Sequence, residues 1–153
     1  MSDVFKKLNL KDQKEILVLN APASFAAELD QLDRVAVQRG LDSVQRVVFA
    51  LAFATKQDEL DHFARAIAQK AEGDAIVWFA YPKGSSKNYT CEFNRDTGWT
   101  VLGQLGFEPV RQVAIDADWS ALRFRRVEFI KSMTRDKQRA MTAAGKQRTG
   151  GAE

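Results

Sequence analysis

Two stretches of this chain are apolar without alternation: RVVFALAFA, residues 46–54, and AIVWFA, residues 75–80. A strand with one wet face alternates apolar and polar residues. An unbroken run of this length suits a strand covered on both faces, as in a parallel sheet. The shorter run EILVLN, residues 15–20, is of the same kind. Such strands need helices above and below them, and the segments between the runs supply the matching patterns.

Ser2 is placed to cap a short first helix with Val4, Phe5 and Leu8 on one side. Ala21-Pro22-Ala23-Ser24 breaks the first apolar run, and Phe25, Leu29 and Leu32 then recur at helical spacing. Residues 34–38 read as a short second strand ended by Gly40. A helix opening at Thr55 or Gln57 has Leu60, Phe63, Ala64, Ile67, Ala68 and Ala71 on one face, with Gly73 as its expected stop. Asp96 is the expected cap of a further helix carrying Trp99, Leu102 and Leu105, and Gly106 its left-handed end. Residues 110–116 and 120–127 alternate, with a hairpin turn over 116–119. This order predicts an α/β three-layer sandwich: a mostly parallel, Rossmann-like sheet ending in a C-terminal antiparallel hairpin. Residues 1–131 form the expected single domain, and 132–153 a basic, flexible tail.

At 153 residues the chain can bury a sizeable core. No apolar run approaches the roughly 20 residues that span a bilayer. The first residues lack the apolar core of a secretory signal. With the single Cys91 these features predict a cytoplasmic protein with no membrane contact. The net charge of +3 is uneven: from Leu122 onward there are nine Lys/Arg against three Asp/Glu, leaving 14 against 17 before it. A basic end can bind nucleic acid, or can simply be solvated.

The segments LNLKDQKEILVLNAPASF, AYPKGSSK and GFEPVRQVAIDADWSALRFR resemble an uncharacterised bacterial family of small proteins, a domain of unknown function. The likeness runs over residues 5–131 and implies a Rossmann-like domain without an assigned activity. The predicted fold also looks like a shortened class I methyltransferase. That fold places a glycine-rich loop after its first strand for S-adenosylmethionine. Here the position reads Asn20-Ala21-Pro22-Ala23-Ser24-Phe25, with no glycine and one N–H removed by proline. Gln38-Arg39-Gly40 stands where an acidic residue is expected after the second strand. The absence of Gly-x-Gly-x-x-Gly also argues against nicotinamide and flavin.

In open α/β sheets ligands sit beyond the carboxyl ends of the parallel strands. That rule selects Asn20 and Ser24 after the first strand, Tyr81, Lys83, Ser85, Ser86 and Lys87 after the 75–80 strand, and Asp116 with Trp119 at the hairpin. Lys83 to Lys87 has the chemistry to grip an anion: two ammonium groups, two hydroxyls and the close backbone approach allowed by Gly84. The alternative is a turn whose serines cap backbone groups. Trp119 could stack on a flat ligand and Asp116 act as a base; alternatively Asp116 forms an Asx turn and Trp119 covers the rim of the core. His62 falls off the apolar helix face, and one His with one Cys gives no metal site. No catalytic residue and no cofactor are named by these residues. The expected function is a binding module for a small anionic ligand. The alternatives are a diverged S-adenosylmethionine-dependent transferase, and a protein or nucleic-acid interaction factor working through the basic end.

Overall fold

The computed structural model describes residues 2–130, so the expected tail lies outside the described residues. Its centre is a six-stranded sheet in the order β2-β1-β3-β4-β6-β5. The strands are β1 (Glu15–Leu19), β2 (Ala36–Gln38), β3 (Val47–Phe53), β4 (Ala71–Pro82), β5 (Phe107–Ala114) and β6 (Trp119–Arg126). β1 to β4 pair in parallel, while β6 is antiparallel to both β4 and β5. β5 therefore runs in the direction of β1, β3 and β4, and their carboxyl ends share one edge.

The apolar runs do what their lack of alternation requires. Phe49, Leu51 and Phe53 of β3 face one layer, and Ala50 and Ala52 the other. On the alanine side lie α3 (Gln57–Lys70) and α4 (Thr100–Gln104). Small residues let α3 approach closely, with Leu60, Ala64 and Ile67 buried beneath it. On the other side lie α1 (Asp3–Lys7), a 3-10 turn over Ala23–Phe25 and α2 (Ala26–Asp30). These elements are short, so large sheet side chains fill the layer: Trp78, Phe49 and Phe53 are almost fully buried there. The Trp78 indole N–H donates to the Leu8 carbonyl at 2.8 Å, tying the chain after α1 to the central strand.

Ser2 caps α1 as expected, its Oγ accepting from the Phe5 amide at 3.4 Å. Gly106 does take a left-handed φ of 90° after α4. Two expected helix ends lie elsewhere. Asp96 does not cap α4; Trp99 holds that position with no side-chain bond. Asn94 forms the local turn instead, its Oδ1 accepting from the Asp96 and Thr97 amides. Nor does Gly73 stop α3. The helix ends at Lys70 and passes straight into β4 through the extended Ala71. The left-handed Gly73 lies in a β4 irregularity, where Val47 pairs with Ala71 and Phe49 with Ile76.

Candidate ligand cleft at the carboxyl edge

β1 leads outward to β2 and the chain then returns to β3 on the other side, so the switch in strand order falls between β1 and β3. Asn20 follows β1 with a φ of 60°, a conformation that Asn tolerates better than most residues. Its Nδ2 donates to the Phe53 carbonyl and to Glu59 Oε2, each at 3.1 Å. Glu59 Oε1 accepts from the amides of Thr55 and Lys56 and from the Thr55 hydroxyl. Burial pulls the Glu59 carboxyl upward, but these hydrogen bonds together hold it below the ordinary carboxylate range. A single carboxylate thus joins the loops after β1 and β3. Underneath, Phe25 packs on Phe53 at 5.0 Å and on Phe5 at 5.7 Å.

The loop after β4 does grip a carboxylate, and the carboxylate is the protein's own. Ser86 Oγ donates to Asp118 Oδ1 at 2.8 Å, and Asn88 Nδ2 to Asp118 Oδ2 at 3.1 Å. The Lys83 amide donates to the Asp118 carbonyl at 2.7 Å. Ser86 Oγ also accepts from the Asn88 and Tyr89 amides. Asp116 forms an Asx turn, its Oδ1 accepting from the Asp118 and Trp119 amides, each at 2.8 Å. Trp119 is buried between Phe53, at 5.2 Å, and Tyr89, at 4.9 Å. It covers the rim of the core, the other of the two roles the sequence allows it.

On the α3/α4 side the same edge opens into a cleft of about 730 Å³. Tyr81, Lys83, Ser86, Gln112 and Ser120 line it together with residues 89–96. Tyr81 and Ser120 stand directly opposite in the β4–β6 ladder, which places both on this face. The Tyr81 ring is wedged against Trp99 and Phe93. Its Oη accepts from Gln112 Nε2 at 2.9 Å, which leaves the phenolic proton free to donate. Burial pushes the Tyr81 phenol above its ordinary value and does the same to the Cys91 thiol. Both stay protonated at neutral pH, so Cys91 is not an activated nucleophile. Glu92 Oε1 is occupied by the Gln57 amide at 2.8 Å, and Arg95 pairs with Asp96 at 3.3 Å. Among the described residues the Lys83 ammonium has no ion pair.

Of the residues selected from sequence, Tyr81, Lys83 and Ser86 meet in the cleft. Asn20 lies on the same edge but points across β3 to Glu59. Ser24, Ser85 and Lys87 are exposed outside the cleft lining, and Asp116 and Trp119 belong to the hairpin turn. Glu59, Gln112, Asn88 and Arg95 escaped sequence reasoning. Glu59 alone carried a signal, since a glutamate three residues after a helix's first cap is the capping-box pattern.

The strand order and the inserted antiparallel β6 decide the comparison. The fold is methyltransferase-like. A solved S-adenosylmethionine-dependent methyltransferase from Aquifex aeolicus superposes with a TM-score of 0.61 at 13% identity, covering 81% of this chain and 88% of that one. The ribosomal protein L11 methylase of Lactobacillus delbrueckii subsp. bulgaricus gives 0.51 at 10%, over 80% and 76%. A cyclase, SpnF, gives 0.51 at 11%, over 80% and 78%. The same fold thus occurs in methyltransferases and in a cyclase, and identities this low speak for the fold alone. No protein-family model matches the chain, and no curated protein does.

The crevice between β1 and β3 does not fit S-adenosylmethionine as this fold would hold it. Its loop offers no glycine, and Pro22 offers no amide. The Asn20 side chain is spent on Phe53 and Glu59, and the Phe25 ring fills the space below. At the end of β2, Gln38 Nε2 donates to Glu15 Oε2 of β1 at 3.2 Å. Among the described residues no group of His, Cys, Asp or Glu is arranged to hold a metal ion, and no helix is long and apolar enough to cross a membrane.

Proposed function

We propose that the chain is a binding module that holds a small anionic ligand in the cleft beyond β4. One observation carries this reading: Lys83, whose ammonium has no ion pair among the described residues, and Tyr81, whose phenolic proton is free to donate, line the same site of about 730 Å³. That volume lies in the range of small-molecule pockets, which are roughly 300–1,000 Å³. Lys83 supplies the charge, Tyr81 and Ser120 the directed hydroxyls, and Phe93 an apolar wall. Ser86 keeps the loop in shape through Asp118 rather than meeting the ligand. Asn20, Ser24, Ser85, Lys87, Asp116 and Trp119 frame the edge without entering the site.

Calorimetric titration of the purified chain with a panel of phosphate monoesters and short carboxylates tests this. Lys83→Ala and Tyr81→Phe are each expected to weaken the best binder by about tenfold, ~1.4 kcal/mol. No heat with any anion, or equal affinity in Lys83→Ala, overturns the reading.

The solved methyltransferases of the same fold favour a second reading, a diverged S-adenosylmethionine-dependent transferase. It requires a cofactor pose that leaves the bridged β1–β3 crevice undisturbed, or one that breaks the Asn20–Glu59 bond. Saturable heat with S-adenosylhomocysteine, altered in Glu59→Gln, would replace the first reading with this one. The third alternative rests on the basic end from Leu122 onward, six of whose nine Lys/Arg lie outside the described residues.

A further inference from the structure

The face of the sheet opposite the cleft carries three arginines at neighbouring positions of the β5–β6 ladder. A bulge in β5 creates the arrangement. Pro109 pairs with Phe124, but Arg111, not Val110, stands opposite Arg123. Without the extra residue Val110 would take that place, and Arg111 would turn to the other face. Like charges directly opposite in an antiparallel pair are unfavourable, with Cβ atoms only about 5 Å apart. Arg125 lies two residues further along β6, on the same face. Its guanidinium engages Asp74 through both Nε and Nη2, at 2.9 and 2.6 Å, so that carboxylate is occupied. Glu108 stands opposite Arg125 on this face, buried and with contacts of its own. Asp74 and Glu108 thus set two carboxyl groups against three arginines on these strands. Arg123 Nε is buried and has no partner among the described residues. Burial, and then the nearby Arg125, pull the Arg123 guanidinium below its ordinary value, the direction expected where a cation lacks its counter-ion.

We propose that Arg111, Arg123 and Arg125 form a binding site for a single phosphate group, independent of the cleft. Guanidinium forks from neighbouring register positions can direct several N–H donors at one tetrahedral anion, which a pair of lysines could not do with the same geometry. A bound phosphate would satisfy the buried Arg123 Nε and relieve the Arg111–Arg123 repulsion. The exposed Arg111 leaves the site open to solvent. The phosphate comes from a small phosphorylated molecule or from a nucleic-acid backbone, and the experiment separates them.

The full chain is titrated with inorganic phosphate against chloride at equal ionic strength, following the arginine Nε–H resonances by NMR. Arg123 Nε–H is expected to shift and saturate, and Arg111→Gln to weaken binding about tenfold. Arg111 is exposed, so this variant keeps the fold. Lys83→Ala, in the cleft, is expected to bind phosphate at the Arg123 site as the parent does. Absence of a saturable Arg123 shift, or an unchanged affinity in Arg111→Gln, overturns the proposal. A single-stranded oligonucleotide is titrated in parallel. Affinity far above that of inorganic phosphate, and lost in Arg111→Gln, assigns the phosphate to a nucleic-acid backbone. Similar affinity for both assigns it to a small molecule. Oligonucleotide binding indifferent to Arg111→Gln, with no phosphate effect, counts against the site.

Discussion

Asp118 is the side chain on which the loop after β4 depends, and replacing it with alanine tests that dependence directly. Its carboxylate receives a part-buried bond from the Ser86 hydroxyl and an exposed one from Asn88. A hydrogen bond to a charged group contributes about 1.5–3 kcal/mol when shielded. Exposure and screening reduce the Asn88 bond to well under 1 kcal/mol. The Lys83 amide bond goes to the Asp118 backbone carbonyl and survives the substitution. Asp118→Ala is therefore expected to cost about 2 kcal/mol, a fall in Tm of roughly 4–8 °C for a chain of this length. The loss should also be local. Ser86 Oγ orders the Asn88 and Tyr89 amides, so those two amides should exchange hydrogen faster in the variant while the β3 and β4 amides change only by the global amount. Urea unfolding and hydrogen exchange measure the two parts. A cost below about 0.5 kcal/mol, with Asn88 and Tyr89 protected as before, would show that the loop keeps its shape without the carboxylate, and the reasoning fails.

Two further outcomes follow from the same geometry. Glu59 titrates below its unfolded value, so its contribution to stability is present above the ordinary carboxylate pKa and is lost as pH falls through the lower folded value. Glu59→Gln should flatten the acid limb of stability against pH below about 4.5; an unchanged limb refutes this. At Gly98, a Cβ would sit 2.5 Å from Phe93 Cβ and 2.8 Å from Gln57 Oε1, on a backbone with φ of 95°. Gly98→Ala is expected to cost about 3 kcal/mol in chemical unfolding, since both the clash and the left-handed backbone oppose it.

The large features were legible because they are written in local pattern. Residues 46–54 and 75–80 have no polar face, and a strand without one has to lie inside a sheet covered on both sides. That requirement led to β3, β4, the parallel order and the two helical layers. The alternation of 120–127 and the Asp116 turn signalled the closing hairpin. Helix ends were less legible. Asp96 had the right chemistry for a cap, but Asn94, two residues earlier, took the turn and left Trp99 at the helix start.

The site divides along the same line. Sequence alone determined that Asn20, Tyr81, Lys83, Ser86 and Asp116 would reach one edge, because strand direction dictates where each following loop must emerge. Tertiary structure alone decided their occupations. Ser86 meets Asp118 across 32 positions of the chain, Asn20 meets Glu59 across 39, and Gln112 reaches the Tyr81 hydroxyl across 31. A hydroxyl, amide or ammonium offers the same chemistry to a ligand as to a neighbouring residue. Only the distances between strands reveal which of them the protein has already used for itself.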